Sequence, residues 1–347
     1  MKTRQELVTS ARRLVVKLGT GLLTDDQNRL AQARIAELAS QVAALCRQDR
    51  HVVLVTSGAI AAGMEVLVIT SRPKHLPELQ ACAAIGQSKL MSVYDQLFRQ
   101  HDLPVAQVLL THDDLRNRTR HLNARNTLTT LLDRGVLPII NENDTVSVDE
   151  IKFGDNDRLA ALTAALIDAD LLIILSHIEG LLDEEGNLVS LVSSVTSDIE
   201  RLAGGTDRAT SVGGMKSKLD AAKIITRAGS PMIIASGERP GVLANLLTGA
   251  EIGTIFLPRT PKLASRKRWI AFFQRPAGTL VVDDGASAAL RDGGKSLLAK
   301  GVVRTEGKPV AGDVVSIQDT KGQEFARGLV KTADGAVRVH RDDLVIL

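Results

Sequence analysis

The sequence predicts an α/β protein: a mainly parallel sheet sandwiched by helices, followed by a small C-terminal β-rich domain. Strand-like and helix-like apolar patterns alternate up to Pro258, as in parallel α/β folds. Beyond it, short alternating strands are separated by turn dipeptides such as Asp284-Gly285. At 347 residues the chain is also long for one domain. We expect a first domain at residues 1–258, a linker at 259–264 and a second domain at 265–347.

The elements of the first domain follow from two patterns. Short apolar runs predict seven strands: Leu14–Leu18, Val52–Val55, Val105–Leu110, Val136–Ile140, Leu171–Leu175, Met232–Ala235 and Thr254–Leu257. Helical spacing predicts five helices: Ala31–Arg47, Glu78–Arg99, Asn123–Asp133, Asn156–Ala169 and Lys216–Ala228. Gly135 and Gly229 suit helix C-terminal caps. In such folds, ligands bind at the carboxyl ends of the strands.

Composition indicates where the protein works. The segment Met1–Arg13 has no apolar core of a signal peptide, and no apolar run is long enough to cross a bilayer. Cys46 and Cys82 lack metal-binding or redox spacing. We expect a cytoplasmic protein with no membrane partner. Residues 265–347 hold 14 Lys+Arg against 10 Asp+Glu, which permits an anionic partner, but eight aromatic residues are few for base stacking.

Three glycine-rich turns are candidate anion sites. They are Lys17-Leu-Gly-Thr-Gly21, Thr56–Gly63 and Gly213-Gly-Met-Lys-Ser-Lys218. Glycines let the backbone approach an anion closely, and a helix N-terminus attracts negative charge. The second turn is not a Walker A loop, because Met64-Glu65 stands where Lys-Ser/Thr is required. Each turn is also compatible with an ordinary helix start.

An acidic segment, "INENDTVSVDEIKFGDND" at residues 140–157, follows a predicted strand. Helix capping by Asp155 and Asn156 explains part of its polarity. It does not explain the other carboxylates. Either a ligand with an ammonium group or a need to orient catalytic lysines would account for them.

Six segments resemble the amino-acid kinase family: "VVKLGTGLLT", "VTSGAIAAGM", "AAIGQSKL", "LNARNTL", "INENDTVSVDEIKFGDND" and "VGGMKSKLDAA". They span roughly residues 12–257 in the expected order. Residues 265–347, with "RKRWI", "LLAKGV" and "VHRDD", resemble a PUA domain. The resemblance implies phosphorylation of the side-chain carboxylate of L-glutamate by ATP with Mg²⁺, the first step of proline biosynthesis. It further implies feedback inhibition by proline and a homo-oligomer. RNA binding by the PUA-like domain is doubtful, because this domain is shortened before Val339.

The resemblance also implies residue roles. Lys17 and Lys218 grip the transferring phosphoryl group, and Asp157 holds these lysines in place. Glutamate is bound by Ser57, Asp144 and Asn156, with Lys152 nearby. The residues implied for the nucleotide are Lys17, Ser176, His177, Val212, Gly213, Gly214, Met215, Lys216, Ser217 and Lys218. No protein ligand is predicted for Mg²⁺, which the nucleotide phosphates hold.

Two alternatives stay open. One is another enzyme of the family, acting on uridylate or aspartate. The other is an RNA-binding or regulatory protein that acts through the PUA-like domain. The acidic segment favours free glutamate, because its α-ammonium group can pair with a carboxylate. Ser176-His177 and Val212 depart from the Thr-Asp and Thr typical of the family, which bears on nucleotide preference.

Overall fold

Two compact units make up the chain, Met1–Pro261 and Lys262–Leu347, in a computed structural model. The structure describes residues 3–25, 27–146, 156–203, 214–258, 262–332 and 337–347. Three predicted site residues, Lys152, Val212 and Gly213, therefore lie outside the described residues, as does Asp155, a predicted helix cap.

The first unit is built on an eight-stranded sheet. Its strands are β1 (Arg13–Leu18), β2 (His51–Val55), β3 (Val105–Leu110), β4 (Leu137–Glu142), β5 (Leu171–Ser176), β6 (Leu191–Val192), β7 (Met232–Ser236) and β8 (Thr254–Phe256). Their order is β3-β4-β2-β1-β5-β7-β8-β6, and each neighbouring pair is parallel except β7 and β8. The central strands are buried at nearly every position, as expected when both faces are covered. The predicted mainly parallel sheet is confirmed.

Helices connect and cover these strands. They are α1 (Arg4–Thr9), α2 (Thr20–Leu23), α3 (Gln32–Arg47), α4 (Ala59–Val66), α5 (Leu76–Arg99), α6 (His112–Arg116), α7 (Arg118–Asp133), α8 (Asn156–Leu166), α9 (Ser197–Leu202), α10 (Met215–Ala228) and α11 (Val242–Leu247). Two predicted helix bounds differ from the structure by three residues or more, and the others agree within two residues. Helix α7 starts five residues early because the Asn117 side chain caps it, accepting hydrogen bonds from the backbone of Thr119 and Arg120. Helix α8 ends early, before Asp168 takes a positive φ of 60°.

The second unit is β-rich, as predicted. Its strands are β9 (Gly278–Val282), β10 (Leu297–Leu298), β11 (Val302–Gly307), β12 (Val314–Gln318), β13 (Glu324–Val330) and β14 (Val337–Ile346), and its helices are α12 (Ser265–Arg268) and α13 (Asp284–Arg291). The strands form one sheet with its own apolar core, which includes Val282, Ile317 and Phe325. In the part of the chain that the structure describes, no helix has the length and apolar character needed to span a membrane.

Helices α4 and α5 cross at two buried glycines, and this crossing places the start of α4 beside the strand ends. A Cβ atom added to Gly63 would overlap the carbonyl of Cys82, and one added to Gly86 would overlap the carbonyl of Ala59. These obstacles are backbone atoms, so a side-chain rotation cannot relieve the overlap. The close crossing therefore depends on glycine at both positions.

We expect Gly86→Ala to lower the stability of the first unit by at least the roughly 1–3 kcal/mol typical of overpacking, because the two helices must separate. Urea unfolding followed by far-UV circular dichroism measures the effect. Wild type is the reference. An unfolding midpoint of Gly86→Ala equal to that of wild type would show that the crossing tolerates a methyl group.

Candidate active site

The carboxyl ends of four strands meet at one edge of the sheet. Lys17 of β1 is in register with Val55 of β2 and with Ile174 of β5, and Val55 is in register with Ile140 of β4. A cavity of about 300 Å³ opens at this edge. It is lined by Lys17, Gly19, Thr20, Gly21, Thr24, Asn28, Ser57, Gly58, Ala59, Ile60, Ala61, Met64, Arg72, Asn141, Glu142, Asp144, Asn156, Ser176, His177 and Lys218.

Two lysines and one aspartate form a buried cluster at the cavity wall. Asp157 lies in the first turn of α8 and is 1% exposed, and Lys17 and Lys218 are each 5% exposed. Lys17 Nζ is 2.7 Å from Asp157 Oδ1, and Lys218 Nζ is 3.1 Å from Oδ2. Burial opposes ionisation of Asp157, but the two ammonium groups hold its pKa below the ordinary value. The cluster therefore carries two cations and one anion.

The first turn of α10 supplies more than Lys218. The Ser217 hydroxyl donates a hydrogen bond to Asp157 Oδ2 at 3.0 Å, so this predicted nucleotide ligand also supports the cluster. Gly214 is the N-terminal cap of α10, and a Cβ there would meet open space. Lys218 lines the cavity. The cavity lining does not include the four residues before it, Gly214, Met215, Lys216 and Ser217.

A network of buried amides lies next to the cluster. Asn156 Nδ2 donates to Thr56 O (2.9 Å), Ser57 Oγ (3.0 Å) and Asn141 Oδ1 (3.1 Å). Asn141 Nδ2 in turn donates to Gln87 Oε1 at 2.9 Å. The backbone carbonyl of Thr56 accepts only, which fixes the orientation of the Asn156 amide. Asn156 Oδ1 is buried and has no partner among the described residues, so it is free to accept from a ligand.

Two carboxylates from the acidic segment line the same cavity. Glu142 ends β4 and is 5% exposed, and Asp144 follows two residues later. Burial raises the pKa of Asp144 to about 6, although the nearby Arg72 opposes that shift. A carboxyl whose pKa is raised by burial favours a cationic ligand group, because a positive charge beside it lowers that pKa again.

The glycine-rich turn after β1 approaches the end of β5. Gly19 N–H donates to the carbonyl of Leu175 at 3.1 Å, and a Cβ on Gly19 would lie 3.5 Å from Lys17 Nζ. A Cβ on Gly21 would lie 3.2 Å from His177 Nδ1. Ser176 is buried and His177 is exposed, and both line the cavity. Their contact with a nucleotide stays a prediction.

Sequence reasoning missed two residues that line the cavity, Asn141 and Arg72, and one residue of the amide network, Gln87. Asn141 lies inside the acidic segment, where its carboxylate neighbours drew attention instead. Gln87 lies in the quoted "AAIGQSKL", although no role was assigned to it. Arg72 is exposed in the connection between α4 and α5, and a lone arginine in a loop gives no signal in the sequence.

Comparison with known proteins defines the class. Residues 12–236 match the "Amino acid kinase family" and residues 278–338 match the "PUA domain". A solved structure titled "Carbamate kinase from Giardia lamblia bound to AMP-PNP" superposes with a TM-score of 0.51 at 16% identity, covering 72% of this chain and 99% of that one. At this identity the superposition supports the fold alone. The chain belongs to the amino acid kinase family.

The relatives narrow this assignment. The glutamate 5-kinase of Pelobacter propionicus is 46% identical over 99% of this chain and 100% of the relative. That of Geobacter metallireducens is 45% identical with the same coverage. Within the family, the chain belongs to the glutamate 5-kinases.

Proposed function

We propose that the cavity described above is where this glutamate 5-kinase transfers the γ-phosphoryl group of ATP to the side-chain carboxylate of L-glutamate. The observation that carries the proposal is the buried cluster of Lys17, Asp157 and Lys218, which faces the same cavity as Asp144 and the unpaired Asn156 Oδ1. The product, L-glutamyl 5-phosphate, is the first intermediate of proline biosynthesis.

The chemistry needs no general base. The glutamate side chain is ionised at pH 7, so one of its oxygens attacks the γ-phosphorus directly while the bond to the β-phosphate oxygen breaks and ADP leaves. The barrier is lowered by alignment and by stabilisation of charge on the transferring group. Lys17 and Lys218 supply that positive charge. Asp157 fixes their ammonium groups and stays ionised while doing so.

The amino-acid end of glutamate is recognised by different groups. Asp144 and Asn156 Oδ1 accept from its α-ammonium group, and the Ser57 hydroxyl lies in the same network. N-acetylglutamate has one uncharged amide N–H in place of this cation, so Asp144 loses its counter-charge and at least one of the two hydrogen-bond acceptors is left without a donor. Burying a polar group without a hydrogen-bond partner costs free energy, so the site favours glutamate over N-acetylglutamate as its substrate.

The residues that the structure describes fit a Mg²⁺ ion carried by the nucleotide. Both Asp157 oxygens already contact lysine ammonium groups, so this carboxylate is not open to a metal ion. Mg²⁺ commonly binds substrate phosphates and water with few protein ligands. When bound there, it would neutralise charge on the β- and γ-phosphates.

The wider roles rest on family membership. We propose that residues 1–258 contain the whole reaction, because every lining residue precedes Pro258, with 259–264 as linker and 265–347 as the PUA-like domain. Feedback inhibition by proline, a homo-oligomeric assembly and a cytoplasmic location stay predictions. RNA binding by the PUA-like domain has no support beyond its name and charge.

An acceptor panel tests the function. Purified protein is incubated with MgATP and glutamate, aspartate, N-acetylglutamate or UMP; hydroxylamine traps any acyl phosphate, and ADP release is followed. We expect strong turnover with glutamate alone. Faster reaction with N-acetylglutamate or UMP would refute the assignment of the acceptor.

Asp144→Asn should raise the KM for glutamate far more than it lowers kcat, because a contact made already in the ground state is lost. The wild-type kcat/KM for glutamate should also fall as the pH drops from 7.5 to 5, since a free-enzyme carboxyl with a pKa of about 6 becomes protonated and cannot pair with the ammonium group. The variant should lack this pH dependence. Asp113→Asn, at an exposed carboxylate, is the control. An unchanged KM would remove Asp144 from substrate binding.

A further inference from the structure

Arg72 lies in the connection between α4 and α5 and lines the cavity. Pro73 follows it, which disfavours helical geometry at Arg72. Val68, at the start of the connection, has a positive φ of 56° and an 84% exposed side chain. A β-branched residue rarely adopts this conformation, and such backbone strain clusters at ligand sites.

The cations of the cavity fall into two sets. Lys17 and Lys218 are bound to Asp157, whereas Arg72 forms no ion pair with any described residue. Its positive charge nevertheless acts on Asp144, whose pKa it lowers against the effect of burial. A guanidinium and a carboxylate thus lie near each other on the wall of one cavity without being joined.

This arrangement matches the α-carbon end of an amino acid. That end carries an ammonium group and a carboxylate on one carbon atom, so it needs one anionic and one cationic partner. Asp144 and Asn156 serve the ammonium group in the function proposed above. The α-carboxylate needs a cationic partner of its own, and a guanidinium binds a carboxylate through two parallel hydrogen bonds.

We propose, on the basis of that function, that Arg72 binds the α-carboxylate of glutamate and so selects an α-amino acid over acceptors that carry only a side-chain carboxylate and an amine. Lysine in its place would keep the charge but lose the paired hydrogen bonds. Arg72 is then a specificity-determining residue, because it touches the substrate away from the reacting atoms.

The experiment compares L-glutamate with its α-amide, which keeps the ammonium group and the side-chain carboxylate but has no α-carboxylate charge. Wild type and Arg72→Gln are assayed by ADP release with each acceptor, and the amide is also tested as a competitive inhibitor. We expect Arg72→Gln to raise the glutamate KM about 10- to 100-fold, the scale of one charged hydrogen-bonded contact, with kcat little changed. The effect on the amide should be small, and Arg72→Lys should recover part of the glutamate affinity.

The controls separate the possible explanations. Lys74→Gln removes an exposed cation from the same connection, outside the cavity lining, and should leave both acceptors unaffected. If Arg72 only tunes Asp144, Arg72→Gln weakens glutamate and the amide equally, and the proposal is wrong. An unchanged glutamate KM in Arg72→Gln would also contradict the proposal. This result is decisive even when the amide binds neither wild type nor variant. Absence of glutamate turnover in the wild type would instead refute the proposed function itself.

Discussion

Lys218→Met should lower kcat by about 10²- to 10³-fold, the loss measured when one preorganised charge stabiliser is removed from an active site. Methionine keeps the length and most of the volume of lysine but carries no charge. Because Lys218 is 5% exposed, water cannot readily replace its ammonium group. Lys17→Met should behave similarly, since its ammonium group lies against the other oxygen of the same carboxylate. Steady-state kinetics at saturating glutamate and ATP give kcat directly.

Lys223→Met is the matched control, because it removes a lysine from the same helix. Lys223 pairs with Glu200 at 2.6 Å and with Asp220 at 3.4 Å, on a partly exposed surface. Exposed ion pairs contribute at most about 1 kcal/mol to stability. Lys223 also does not line the cavity, so its loss should leave kcat unchanged. A near-normal kcat for Lys218→Met or Lys17→Met would remove that lysine from the mechanism.

Much of the architecture could be predicted because local patterns specify it. A strand such as Val105–Leu110 is a continuous apolar run, and a helix such as α10 has apolar residues at helical spacing and a glycine after its end. The early start of α7 was missed because Asn117 caps a polar first turn, which has no apolar periodicity. An N-terminal cap is recognisable in a sequence only when apolar periodicity marks the helix that begins just after it.

The site was predictable where its residues lie on regular elements. Lys17 lies one residue before the end of the buried strand β1, and a lysine there needs an anionic partner, which the structure supplies as Asp157. The amide network was not predictable in the same way. Asn141, Asn156 and Gln87 come from three elements that are far apart in the chain, and only tertiary packing brings them together. Arg72 belongs to the same category, because its role depends on how a loop returns to the cavity.

Asp157→Asn should lower the free energy of unfolding by about 3–5 kcal/mol, although the two side chains are almost equal in size. The variant leaves Lys17 and Lys218 buried without their counter-charge, and an unpaired buried cation is costly. It should also lose activity, because the two ammonium groups are no longer held in place. Asp220→Asn, which removes an exposed carboxylate from a surface pair, should change stability by no more than about 0.5 kcal/mol.

The dependence of this effect on pH follows from the lowered pKa of Asp157. A carboxyl whose pKa is lower in the folded state stabilises the protein above its unfolded pKa, near 3.9, and the stabilisation is lost as pH falls through the folded pKa. The difference between wild type and Asp157→Asn should therefore be constant from pH 6 to 8 and shrink below about pH 4. Urea unfolding followed by far-UV circular dichroism measures it.

A double variant tests whether the charges act on each other. In Asp157→Asn with Lys218→Met, one of the two stranded cations is gone, so the combined loss of stability should be smaller than the sum of the single losses by about 0.5–3 kcal/mol. Strictly additive losses would mean that Asp157 and Lys218 stabilise the fold independently, and the ion pair at 3.1 Å would then have no part in positioning the lysine.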